Sequence, residues 1–284
     1  MKLIFKNDDN LTRAIGMYNS FGPPGALPEA TSRYPAIFGE QFYNIAYLNS
    51  EIRSLPNGYK TFFAYLFNED MDGKLKIKCE KLAAKMEKLV YIPKKDKVSI
   101  KKVQDKLSRL WDKNEELIEK EIRQIFGFDL PNKIYIVIDK GLYGNGSGGS
   151  GLYSSNKNLA ISLDISHNHD SDKYVLSLIT VVIHEMLHML ISRHNVINRE
   201  KDKEYFEESI LDYFVPHGIL AEKLGMIEKK SIIDYHEHNI NNRKYSENIS
   251  KKLLPVIEEY YKSKVKEDIW TFLKKRGFKQ YFEF

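Results

Sequence analysis

From Tyr174 to Ile191 the sequence is apolar at almost every position, and three ionisable side chains interrupt that run: His184, Glu185 and His188. A bilayer-spanning helix would carry such a triad at a cost of several kcal/mol. The run is therefore expected inside a protein core, with no membrane partner. Its flanks specify a helix from about Asp172 to His194. Asp170 or Ser171 stands where a side chain can cap the first turn, and Arg193 and His194 suit the C-terminal end of the helix dipole. A core around such a helix needs apolar material, and 42% hydrophobic residues in a chain of 284 supply it. With 29% charged residues the composition is that of a globular protein, not a disordered one.

The rest of the chain reads as α+β. Residues 1–40 open on a short apolar run, Leu3 to Phe5, and pass through Gly22-Pro23-Pro24-Gly25, Pro28 and Pro35, which break regular structure. Thr61–Phe67 is aromatic-rich, and Leu75, Ile77 and Cys79 alternate with lysines. With Asp72-Gly73 between them, these segments predict a hairpin over 61–79. Asn68, Asp70, Asp72 and Gly73 begin like an EF-hand loop, but the twelfth position is Cys79, so no calcium site is expected. Val103, Leu107, Leu110, Trp111, Ile118, Ile122 and Ile125 recur near 3.6 and predict a helix over 99–126, closed by Gly127. Ile134–Ile138 predicts a buried strand. Residues 141–151 hold six of the 16 glycines and are expected as a flexible loop. Leu159–Ile165 predicts an edge or half-buried strand, Lys203–Phe214 a second helix, and 226–284 a mostly helical end. These elements suggest three regions, 1–98, 99–225 and 226–284.

Charge and cysteine usage narrow the function classes. A net charge of +5 without a basic stripe gives no reason to expect a nucleic-acid partner. The one cysteine, Cys79, cannot form an internal disulfide. The N-terminus MKLIFKNDDN has no apolar signal region, so a soluble, cytoplasmic protein is expected.

His184-Glu185-Met186-Leu187-His188 is an HExxH motif. Residues four apart on a helix differ by only ~40° about its axis, so both imidazoles project from one face and can share one metal ion. Catalytic zinc takes three protein ligands and leaves a position open. Glu185 stands too far round to join them but close enough to act as a base. A buried His-Glu-His set without a metal would be costly in so apolar a helix. Nineteen residues separate His188 from Glu208, with Asp212 one turn further on. Helical periodicity puts Glu207 in the middle of the apolar face formed by Phe206, Ile210, Leu211 and Phe214, with Glu208 at its border. Glu208 is preferred as third ligand because it alone has the aspartate one turn on, and Glu207 is the alternative.

HExxH at 184–188 followed by Glu208 and Asp212 resembles the gluzincins, the thermolysin-like zinc metallopeptidases. The resemblance covers roughly residues 100–225. It implies a zincin-like core with a mixed sheet, an edge strand, an active-site helix and a glutamate helix, and one Zn2+ held by His184, His188 and Glu208. It further implies Glu185 as general base, Asp212 as a partner for a ligand imidazole, and a peptide or protein substrate. The strand residues Leu159, Ala160, Ile161 and Ser162 would bind extended peptide, with the glycine loop at the cleft rim. A donor to the oxyanion is also implied, for which His217, Tyr235, His236, His238 and Tyr245 are candidates. A protein that keeps the zinc site without turnover, as a binding or regulatory module, is the alternative, and the presence of Glu185 counts against it.

Overall fold

A computed structural model describes residues 2–6, 8–21, 42–90, 97–139, 148–154, 159–165, 171–197, 203–227, 247–263 and 267–282. The fold is α+β, mostly helical with one small mixed sheet. The chain divides into two compact units, one made of residues 3–101 and 134–168, the other of 1–2, 102–133 and 169–284. This differs from the three consecutive regions suggested by the sequence. The chain leaves the second unit at residue 133, forms its sheet strands with the N-terminal helices, and returns at 169. Composition along a chain cannot reveal such interleaving.

The first unit contains β1 (Lys2–Phe5), α1 (Asp9–Phe21), α2 (Phe42–Arg53), α3 (Tyr59–Leu66) and α4 (Gly73–Leu89). The predicted hairpin is therefore two helices. Asp72 caps α4, its carboxylate accepting from the backbone N–H of Lys74 and Leu75 at 2.9 and 3.2 Å. From Cys79 onward the apolar residues follow a helical period, and Cys79, Leu82, Ala83 and Met86 are buried. The apparent alternation was a coincidence of the first turns, and Ile77 stands 54% exposed. In α3 the aromatics Tyr59, Phe62 and Phe63 fall on one buried face, so tertiary burial overrides their preference for strands.

After α5 (Lys97–Phe126) come β2 (Lys133–Asp139), β3 (Gly148–Ser154) and β4 (Leu159–Asp164). The sheet order is β1-β2-β4-β3. β4 runs parallel to β2, with Ile134 opposite Leu159 and Val137 opposite Ser162, and antiparallel to β3. It is an interior strand, not the predicted edge. Both sides of its backbone are paired, and Leu159, Ala160, Ile161 and Ser162 are buried, so these residues cannot add a peptide strand. The glycine-rich stretch was expected as loop, but its last residues, 148–151, form β3, whose register shifts between Gly151 and Tyr153. Residues 140–147 lie outside the described residues.

The second unit is helical. Val103, Leu107, Trp111, Ile118 and Ile122 of α5 are buried, and the helix ends at Gly127, whose φ of 68° suits glycine. It is followed by α6 (Asp172–Arg193), α7 (Lys203–Asp212), α8 (Ile219–Lys223), α9 (Glu247–Lys262) and α10 (Ile269–Leu273). By length and composition α6 could cross a membrane, but here Val175, Leu178, Ile179, Val182, Ile183, Met186 and Leu187 are buried within the protein. Phe126 meets Phe214 edge-on at 4.9 Å between centroids, and its carbonyl accepts from the Trp270 indole at 2.9 Å. The ammonium of Lys223 pairs with the buried Glu121 carboxylate at 2.6 Å. Together these contacts fasten α5, α8, α10 and the turn after α7.

Candidate metal centre

The site lies entirely in the helical unit. Ser171 caps α6, its hydroxyl oxygen accepting from the Tyr174 N–H at 3.2 Å, and this fixes the helix on which the two histidines stand. His184 and His188 lie one above the other, ring centroids 4.7 Å apart, with their Nε2 atoms 3.0 Å apart. The apolar residues of α7 seat it in the core, with Phe206, Ile210 and Leu211 buried. That seating brings Glu208 to the pair. One of its carboxylate oxygens is 3.3 Å from His184 Nε2 and the other 3.2 Å from His188 Nε2.

These three residues are a set that could hold one metal ion, with ligand atoms all within 4.8 Å of one another. Donor atoms ~2.05 Å from a tetrahedral ion lie ~3.3 Å apart. The two Nε2 atoms are 3.0 Å apart, close to that spacing, and each has a Glu208 carboxylate oxygen at 3.2–3.3 Å. Two imidazoles and a carboxylate also match zinc in donor chemistry, so the residues fit the ion.

The opposite ring nitrogens are held as well. His188 Nδ1 is 2.7 Å from Glu207 Oε1, and His184 Nδ1 is 3.1 Å from the Val215 carbonyl. Each Nδ1–H donates, which turns Nε2 toward the shared centre. The sequence assigned this orienting role to Asp212. Glu207 and the Val215 carbonyl hold the two hydrogen bonds, while Asp212 acts on His184 through its negative charge. Glu207 is only 6% exposed, as its place on the helical wheel required, and it holds the His188 ring by its Nδ1. The periodicity that buried Glu207 was the available signal for it. A backbone carbonyl such as that of Val215 has no sequence signal.

Charge is concentrated and balanced here. Burial works against an imidazolium at His188, but hydrogen bonds to Glu207 and Glu208 outweigh it and push the pKa up to about 10. Burial likewise opposes a charged Glu208, yet hydrogen bonds with His184 and His188 hold its carboxyl far below the usual carboxylate range. Two protonated Nε2 atoms cannot face each other at 3.0 Å, so one proton at most bridges the pair. A metal ion entering this centre takes the place of that proton.

Glu185 is half-buried and directly follows the first histidine. His217 is two residues beyond Val215 and lines an open cleft of 470 Å³ with Tyr174, Ser177, Thr180, Pro216 and Met226. Tyr235, His236, His238 and Tyr245 fall outside the described residues. Leu159–Ser162 belong to the other unit. No family model, curated protein or solved structure matches the chain.

Proposed function

We propose that the protein is a zinc metallopeptidase of gluzincin type, with α6 as active-site helix and α7 as glutamate helix of a zincin-like core. The observation that carries this reading is the convergence of His184 Nε2, His188 Nε2 and the Glu208 carboxylate, ligand atoms within 4.8 Å of one another, with Glu185 directly after the first histidine. His184, His188 and Glu208 hold the ion, and Glu207 and the Val215 carbonyl keep the two rings aimed. Zinc there supplies Lewis acidity, polarising a carbonyl and making water acidic enough to lose a proton near neutral pH. Glu185 takes that proton and passes it to the leaving amine, acting first as base and then as acid. His217, which lines the cleft two residues after Val215, is the donor to the oxyanion in this reading.

The test is zinc content of wild type and His188→Ala, with cleavage of a peptide library by wild type and Glu185→Gln. One zinc per wild-type chain, none in His188→Ala, and cleavage abolished in a zinc-loaded Glu185→Gln are expected. Stoichiometric zinc with no wild-type cleavage would instead favour the non-catalytic binding module. Cleavage that survives Glu185→Gln unchanged would remove the proposed mechanism.

A further inference from the structure

We propose that the outward face of α4, together with the adjoining stripe of α2, binds single-stranded nucleic acid. α4 carries six lysines and two glutamates, a net charge of +4 in 17 residues against +5 for the whole chain. Read as a strand, the segment sets only Lys74, Lys76 and Lys78 in a row, so net charge alone suggests no anionic partner. As a helix it makes a basic stripe. Lys74, Lys78, Lys81, Lys85 and Lys88 recur at intervals of four and three, which keeps them within ~80° of arc along ~21 Å of axis. All five are exposed, while Cys79, Leu82, Ala83 and Met86 are buried on the other side. Glu80 and Glu87 stand ~80° or more round the helix from the stripe, and Glu87 accepts from the Asn10 amide at 2.8 Å. Among the described residues only Lys85 of the five has a carboxylate partner, Glu51 of α2 at 2.8 Å.

That ion pair joins the lysines to a second stripe. Tyr43, Tyr47 and Glu51 follow one another at intervals of four on α2 and so share one side of it. Tyr43 is 81% exposed and Tyr47 77%, and they stand ~12 and ~6 Å along α2 from Glu51. Aromatic rings and ammonium groups therefore border one another on the same unit. Like charges at i, i+4 weaken a helix, so a face that served only solubility would mix its signs. α5 does so where Arg123 pairs with Glu119. A bound anion relieves the repulsion on α4, and the tyrosines decide which anion it is. The bases of an unpaired strand can stack on the phenol rings while its phosphates meet the lysines. A duplex hides its base faces and would engage the lysines alone, as would an acidic peptide. A lipid surface requires apolar side chains to enter it, and the apolar face of α4 is turned into the core. Lysine is a point charge on a flexible stem, which suits a phosphate backbone read without sequence preference.

Fluorescence anisotropy of the full-length protein with a labelled oligothymidylate of about 12 nucleotides tests this. Binding should weaken as salt rises, log K falling against log salt with a slope of about −3 for four or five phosphate contacts. The triple variant Lys74→Gln, Lys78→Gln, Lys81→Gln should lose about tenfold or more in affinity and flatten the slope by about 2. The double variant Tyr43→Ala, Tyr47→Ala should lose about fivefold or more with the slope unchanged, and Tyr43→Phe, Tyr47→Phe should restore the affinity. All these positions are exposed, so the variants should melt as wild type does. No binding at low salt overturns the proposal, and so does binding that the tyrosine variants leave intact. Equal affinity for a duplex of the same length, for polyglutamate or for phosphatidylserine vesicles overturns it too, in favour of an unselective anion surface. None of these readouts depends on zinc or on peptide cleavage, so the peptidase reading stands or falls separately.

Discussion

Glu207 and Glu208 are neighbours in sequence yet meet opposite nitrogens of one imidazole, Glu207 at Nδ1 and Glu208 at Nε2 of His188. Their burial separates their roles. The Glu207 side chain is 8% exposed and the Glu208 side chain 30%, so the first is locked by packing and the second faces the centre. Glu208→Ala should remove a ligand and reduce bound zinc to well below one per chain after dialysis. Glu207→Leu should keep the ligands but lower zinc affinity by about 10–100-fold, the usual effect of losing a partner that orients a ligand histidine. Glu207→Gln, whose amide oxygen can still accept from Nδ1–H, should restore most of that affinity in a competition titration with a chromophoric chelator.

At the scale of elements, the turn from α7 to α8 places the Val215 carbonyl against His184, and that turn depends on a close backbone approach. The Ile219 N–H donates to the Tyr213 carbonyl at 3.1 Å and the Leu220 N–H to the Phe214 carbonyl at 3.1 Å. Between these pairs Gly218 sits so near that a Cβ there would lie 1.9 Å from the Tyr213 oxygen, which is backbone and cannot move aside cheaply. Gly218→Ala should destabilise the helical unit by ~3 kcal/mol, the upper end of ordinary overpacking costs, and weaken zinc binding with it. Thermal unfolding with and without zinc measures both effects. Tyrosines around α9 set the alkaline limit of the same unit. Burial pushes the Tyr213 and Tyr260 phenols up to about 12, so the fold favours their neutral forms. That contribution is intact below the unfolded value of ~10 and is lost as pH rises through about 12. The melting temperature should fall across this window. Tyr260→Phe should flatten the fall while costing ~1 kcal/mol at neutral pH for the lost hydrogen bond to the Glu267 carbonyl.

At the scale of the whole molecule, the proposed metal ligands His184, His188 and Glu208 belong to one unit and sheet strands β2, β3 and β4 to the other. A ligand that binds only the folded state stabilises it by ~4 kcal/mol at a thousandfold excess over Kd. Zinc should therefore slow amide exchange in α6, α7 and the turn at 213–220, while α3 and α4 exchange at unchanged rates. Uniform protection of both units would show that they unfold as one.

Several features were legible in the sequence because their signals are local. The capping serine, the helix from Asp172, the helix ending at Gly127, the strands around Ile134 and Leu159, and the histidine pair all follow from spacing within a turn or two of chain. The same locality misled at 61–79, where a short alternation imitated a strand until burial of Cys79, Leu82 and Met86 imposed a helix. Periodicity buried Glu207, but only the approach of α7 to α6 gave it His188 as a partner. Position in a sheet, the division of the chain into interleaved units and the Val215 carbonyl at His184 depend on segments distant in sequence. The sequence by itself determined the donor chemistry and the stripe of helix that carries it. Only the tertiary structure decided which glutamate faces the centre and which holds the ring, because packing α7 against α6 is what turns two adjacent carboxylates to opposite sides of one imidazole.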